Sequence, residues 1–237
     1  MGINCIAKSI KSLFGPVYRK IVPYSVPDKS SAELYYWKKQ YEQDGGKFKN
    51  SWYQKTMLAM AGEGDETFLH DKIVADFGCG PRGSLEWATS AKERIGIDVL
   101  ADAYMSTFDL SMHSMRYVKS SENAIPLPSN SVDILYTVNA VDHVDNFECM
   151  CKELLRIVKP GGDFIGSFNL HEPTTPCEPQ TLNEELINHH LLRHLHIKSY
   201  RVSPKGPDGQ RYIHFWDNKQ IQGKEEAILW VRATKPS

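Results

Sequence analysis

Two acids and three glycines stand close together about a third of the way along the chain. Gly78, Gly80 and Gly83 lie in Gly-Cys-Gly-Pro-Arg-Gly, Asp76 precedes the first of them by two places, and Asp98 follows it by twenty. Glycines at this spacing let a backbone approach a ligand at the start of a helix, and an acid ending the next strand can accept hydrogen bonds from ribose hydroxyls. The pattern points to a nucleoside-bearing cofactor and by itself leaves a dinucleotide such as NAD open. Asp76 separates the choices. A pyrophosphate at the mouth of the first strand wants a positive dipole and no carboxylate beside it. An acid there suits a ligand carrying positive charge, such as the amino group and sulfonium of S-adenosylmethionine (SAM). A helix cap or a turn is the plainer role for either acid alone, but their joint spacing with the glycines favours the ligand.

A second set of residues could move a proton. His143, in Ala140-Val141-Asp142-His143-Val144, follows a strongly apolar run. An imidazole titrating near neutrality suits a general base, and local packing is the plainer alternative. Asp142 and Asp145 are the neighbouring candidates, and His171 ends a later strand where it could face an acceptor. Tyr36 and Trp52 belong to an aromatic segment suited to a pocket wall. No metal centre is expected. Cys149 and Cys151 have no second Cys/His pair at zinc spacing, and His190 and His194 lack a third ligand.

Alternating elements must position these groups. Residues 31–61 read as helical and aromatic, interrupted at Asp44-Gly45-Gly46. Thereafter strands are predicted at Lys72–Phe77, Arg94–Val99, Arg116–Lys119, Val132–Val138, Asp163–Leu170, Ile197–Val202 and Ala227–Ala233. Helices are predicted at Leu85–Lys92, Ala103–Met112, Phe147–Val158 and Leu182–Leu195. Such alternation with short loops signals a parallel sheet covered by helices on both faces.

Composition narrows the classes further. At 237 residues with 41% hydrophobic and 24% charged, one ordered domain with an appendage is expected. The charge of −1 hides an asymmetry, because residues 1–60 carry net +6 and the remainder net −7. The balanced total carries no call for nucleic acid. Residues 1–28 read as a basic amphipathic leader, with Ile3, Ile6, Ile10, Leu13 and Val17 at helical spacing; it would pack on the body or, through residues 1–22, lie on an anionic membrane. Five dispersed cysteines and no apolar run long enough to span a bilayer point to a reducing, cytoplasmic setting, peripheral at most to the membrane's inner face.

Four stretches together resemble a known family. VADFGCGPRG (74–83), GIDV (96–99), ENAIPLPSNSVDILYTVNAVDHVDN (122–146) and ELLRIVKPGGDFIGS (153–167) are similar to the successive motifs of class I SAM-dependent methyltransferases. The likeness is to the small-molecule (type 11) branch that includes the ubiquinone/menaquinone C-methyltransferases, and covers about residues 70–170. It implies an α/β, Rossmann-like fold with a seven-stranded, mostly parallel sheet, a reversed last strand and an N-terminal helical lid at 31–61. Residues 29–237 would form the methyltransferase domain, with 171–237 on the acceptor side. Carried over by residue, the resemblance implies that Asp76, Gly78, Cys79 and Gly80 hold the methionine part of SAM. Asp98 would bind the ribose, Val99 would lie against adenine, and Asn139 alongside the cofactor. Where the family has an Asp-Ala pair reaching adenine, this chain has Ser121-Glu122. The expected reaction is methyl transfer to a small-molecule or glycan-type hydroxyl with His143 as base. Carbon or nitrogen methylation, or an NAD-type oxidoreductase, are the alternatives.

Overall fold

The computed structural model describes residues 28–207, 212–216 and 225–237; the expected leader at residues 1–27 lies outside them. Helix α1 (Lys29–Gln43) starts where the Asp28 carboxylate accepts the Ser31 N–H at 2.8 Å, and it ends at Asp44 before Gly45-Gly46. Helix α2 (Trp52–Ala61) stops at Gly62, whose left-handed backbone is the usual C-terminal solution. Seven strands follow: β1 (Ile73–Phe77), β2 (Glu93–Asp98), β3 (Arg116–Lys119), β4 (Val132–Val138), β5 (Val158–Leu170), β6 (His196–Pro204) and β7 (Ala227–Thr234). Between them stand α3 (Ala101–Thr107), α4 (Phe147–Ile157), α5 (Glu184–His190) and α6 (Ile213–Trp216).

The strands form one sheet in the order β3-β2-β1-β4-β5-β7-β6. The first five pair in parallel, and β7 runs antiparallel to both β5 and β6. Alternation along the strands decides which helix covers which face. On β1, Ala75 and Phe77 join the cluster that contains Phe147, Met150, Cys151, Leu154 and Ile157 of α4. Val74 points the other way, into a cluster with Tyr53, Met57 and Met60 of α2. The amphipathic spacing of α4 and the period of two in β1 thus describe the same core. The strand order reverses between β1 and β4, so a crevice opens beyond their carboxyl ends, where open α/β sheets bind ligands.

The predicted sheet is present, but four elements differ. No helix forms over Leu85–Lys92. Leu85 and Ala88 are buried by successive turns, with Glu86 N–H to Gly83 O and Ala88 N–H to Leu85 O. Thr89 and Ser90 are meanwhile held by Glu66, through its side chain at 2.8 Å and its backbone carbonyl at 2.8 Å, and these tertiary bonds override helix propensity. The glycine loop therefore does not open a regular helix. Helix α3 is shorter and earlier than Ala103–Met112. Leu182–Leu195 divides into α5 and a 3₁₀ turn at Leu192–His194. Strand β5 begins at Val158 rather than Asp163, because Lys159-Pro160-Gly161-Gly162 passes through a register shift opposite Val132–Ile134 instead of ending the element.

Candidate active site

A cavity of about 930 Å³ lies at the carboxyl ends of β1, β2 and β4. Its floor is the glycine loop. Gly78 has φ +72°, donates its N–H to Ile97 O at 2.8 Å, and approaches Ala140 so closely that a Cβ would sit 2.1 Å from the alanine Cβ. Gly80 lies under the Trp37 ring, where a Cβ would fall 2.8 Å from the indole. Only glycine allows the β1 loop to pass between β4 and α1 in this way.

Two carboxylates are buried beside that floor. Asp98, 7% exposed, accepts N–H bonds from Gly80 at 3.0 Å and Leu100 at 2.9 Å. It lines the cavity and keeps lone pairs to offer a ligand. Asp76, 2% exposed, is not itself part of the cavity wall, although Phe77 and Gly78 after it are; one of its oxygens accepts the Ser84 hydroxyl and the other, Oδ1, has no partner. Burial pushes Asp76 up to about 7, against the Ser84 bond that lowers it and with the nearby Asp98 adding to the rise. Burial likewise raises Asp98, helped by the charge of Glu33 on α1. Among the described residues neither carboxylate meets a Lys or Arg. An uncompensated pair of buried acids is costly unless a cation completes it. A ligand that brings an ammonium and a sulfonium answers that requirement, and a pyrophosphate would worsen it. The absence of a helix after the glycine loop removes the other feature that a pyrophosphate would need. The residues present therefore fit SAM.

Val99, Ser121, Glu122, Asn139 and Cys79 all line the cavity, as do Tyr36 and Trp52. Asn139 takes φ +53° at the end of β4, donates its N–H to Ser167 O at 3.0 Å, and holds a buried Oδ1 without a partner. Ser121 is occupied in a turn, accepting the Ala124 N–H at 3.0 Å. His171 lies elsewhere. It follows β5 with φ +62°, its Nε2 is 3.2 Å from Glu184, and it is not part of the cavity wall. The ring lies beside Glu184 of α5 rather than on this cavity's wall.

His143 does line the cavity, in a 3₁₀ turn after β4. Its Nε2 is 4.0 Å from Asp142 Oδ1 and 3.8 Å from Glu178 Oε1, and its Nδ1 is buried without a partner. Burial works against a charged imidazole, but the carboxylates of Asp142, Glu33 and Glu178 outweigh it and raise the His143 pKa above 6.5. Asp142 sits behind the histidine, buried, with Oδ2 3.4 Å from the Asn169 amide. Sequence reasoning missed Glu33 and Glu178. Glu33 was legible as part of one α1 face with Lys29, Tyr36, Trp37 and Gln40, all of which line the cavity. Glu178 comes from an irregular loop that no periodicity marks.

Helix α1 is fastened over the cavity at both ends. Lys29 donates to the His143 carbonyl and lies 3.0 Å from Asp145. At the other end Arg82, next to the last glycine of the loop, reaches Asp44 at 2.6 Å, Gln40 at 3.0 Å and the Lys49 carbonyl at 2.8 Å. The Arg82 and Asp44 side chains are each only 13% exposed, so the pair is shielded from solvent screening.

Residues 75–166 match the protein family described as methyltransferase domain. Over this segment the chain is similar to a methyltransferase domain. The malonyl-(acyl-carrier protein) O-methyltransferase of Enterobacter lignolyticus is 32% identical over 90 residues, covering 38% of this chain and 36% of that one. The ubiquinone/menaquinone biosynthesis C-methyltransferase of Shewanella pealeana is 24% identical over 152 residues, or 64% of this chain and 51% of that one. The chain thus spans between about a third and a half of the length of these relatives. The crystal structure of a SAM-dependent methyltransferase from Mesorhizobium loti superposes with a TM-score of 0.54 at 16% identity, covering 75% of this chain and 96% of that one, which shows the shared fold. SAM is the cofactor of a methyltransferase domain of this kind, and Asp76 and Asp98 are the chain's own features that suit it.

Proposed function

We propose that the protein transfers a methyl group from SAM to a small-molecule acceptor, of glycan type or similar, at a hydroxyl oxygen. The observation that carries this reading is the buried Asp98 carboxylate on the wall of a cavity large enough for two molecules, with buried Asp76 near it and no Lys or Arg on either among the described residues. SAM supplies an electrophilic methyl on a positively charged sulfur, which departs with the bonding electron pair as a thioether. What remains for the chain is alignment, exclusion of water and proton removal. Asp98 would hold the ribose, the glycine loop and Asn139 the methionine side, and Val99, Ser121 and Glu122 the adenine end. The His143 ring, on the cavity wall with its pKa raised by the carboxylates around it, would accept the acceptor's hydroxyl proton as the new O–C bond forms. Asp142 positions the ring. Helix α1, with Trp37 over Gly80, would cover the reacting atoms.

Turnover of labelled SAM with a panel of hydroxyl, amine and carbon-acid acceptors tests the reading. O-methylated product, lost on His143→Ala with SAM affinity retained, supports it. Product only at nitrogen or carbon replaces the hydroxyl and the base, and binding of NAD without binding of SAM overturns the whole assignment. The net +6 of residues 1–60 suggests in addition that the leader at residues 1–22 meets an anionic membrane surface. No helix among the described residues is long and apolar enough to cross a membrane.

A further inference from the structure

The acceptor side of the cavity carries more negative charge than the proposed reaction uses. Its two lysines are already committed. Lys29 is paired with Asp145, and Lys205 with Glu172 at 2.6 Å and Glu226 at 3.3 Å. Glu33 and Glu178 both face the cavity, and among the described residues neither meets a Lys or Arg. Behind them Asp142, 4% exposed, keeps Oδ1 without a partner, aimed at the His143 ring. One ligand atom from each of Asp142, His143 and Glu178 lies within 4.8 Å of the others. Tyr36 and Trp52, the latter 40% exposed, give the same cavity aromatic walls. SAM accounts for Asp76 and Asp98 on the cofactor side of the floor. Glu33, whose charge acts on both Asp98 and His143, stands between the two sides, and SAM does not account for Asp142 and Glu178.

From this geometry we infer that the methyl acceptor carries a positively charged group, an ammonium or amine held beside Glu33 and Glu178 with an aromatic ring over it. This rests on the proposed acceptor pocket and adds the acceptor's charge. Carboxylates in a recessed cavity with aromatic walls are the combination that binds organic cations, and they repel acids and phosphates. An amino-bearing sugar or similar amino alcohol would satisfy both this pocket and the hydroxyl chemistry at His143, with the ammonium fixing which hydroxyl approaches. The trio around His143 could instead attract a divalent metal ion. The organic cation is favoured because Glu33 and the ring wall extend the negative region well beyond a single coordination sphere.

The test uses the full chain saturated with adenosylhomocysteine, whose own binding is measured first. Failure there refutes the SAM reading separately from this inference. Three matched sets are then titrated: glucosamine, glucose and glucuronate; benzylamine, benzyl alcohol and benzoate; and magnesium and zinc chlorides alone. The inference expects the amine of at least one organic set to bind ten-fold or more tighter than its neutral partner, and the acid of that set not to bind. Glu178→Gln and Glu33→Gln should each remove most of that preference, with adenosylhomocysteine affinity on Glu178→Gln unchanged. Equal or tighter binding of the neutral or acidic members, no amine binding at millimolar concentration, or a metal ion that displaces the amine would each overturn it.

Discussion

Replacing Asp76 by Asn should stabilise the ligand-free protein and weaken its grip on the cofactor. The carboxyl is raised from 3.8 to about 7, mainly by burial. At about 1.4 kcal/mol per pH unit, keeping it ionised above that pH costs the empty fold roughly 4 kcal/mol. The sign follows from proton counts. Between 3.8 and about 7 the folded chain holds a proton that the unfolded chain has lost, so this residue's contribution falls as pH rises through that window and is least favourable above it. Asp76→Asn removes the penalty, and the Ser84 hydroxyl can reverse its role and accept from the new amide. At pH 8 the variant should melt roughly 8–16 °C higher than the wild type, at about 2–4 °C per kcal/mol for a chain of this size. Near pH 4 the two should nearly coincide. SAM affinity should move the other way, falling about 10- to 100-fold at pH 8 with the loss of a charged partner worth ~1.5–3 kcal/mol. In the wild type, SAM binding near pH 7 should also release protons, seen as a calorimetric heat that depends on the buffer. Scanning calorimetry and titration across pH give all three quantities. A variant less stable than wild type at pH 8 with undiminished SAM affinity would refute the reasoning.

Three further outcomes are expected. Turnover should rise with pH through an inflection above 6.5, because the neutral imidazole is the base and surrounding carboxylates hold its proton; Asp142→Asn should lower that inflection, and a pH–rate profile unchanged by His143→Ala would remove the base. Arg82→Ala leaves Asp44 shielded without its partner and detaches one end of α1, so SAM dissociation should quicken and stability fall by about 3 kcal/mol; an unchanged dissociation rate would show that α1 does not retain the cofactor. Removing residues 1–27 should abolish sedimentation with anionic liposomes at low salt, whereas equal sedimentation before and after would exclude a membrane role for the leader.

The parts of this architecture that follow from repeated local signals were legible. Strand β4 and helix α4 repeat their pattern over several residues, and the structure places both where the pattern predicts. The segment 85–92 was not legible, because its helix-like composition is overruled by Glu66, about twenty residues earlier, which ties down Thr89 and Ser90. The same distinction divides the site. Asp98 and the glycines are close in sequence or fixed by strand register, so their spacing was enough to bring them to one cavity wall. Arg82 with Asp44, and His143 with Glu178, meet only through tertiary packing. The acceptor side is assembled from α1, the turn after β4 and an irregular loop, and no local pattern records which of their side chains will face one another. His171 follows a strand end as expected, and its ring meets Glu184 of α5, a contact that no local pattern records.

The most direct check is a crystal structure of the full chain with adenosylhomocysteine. The ribose hydroxyls should lie within hydrogen-bond distance of Asp98, and the amino group should sit over the glycine loop nearest the unpartnered Asp76 oxygen. An empty cleft at saturating ligand, or a nucleoside bound away from both carboxylates, would contradict the account.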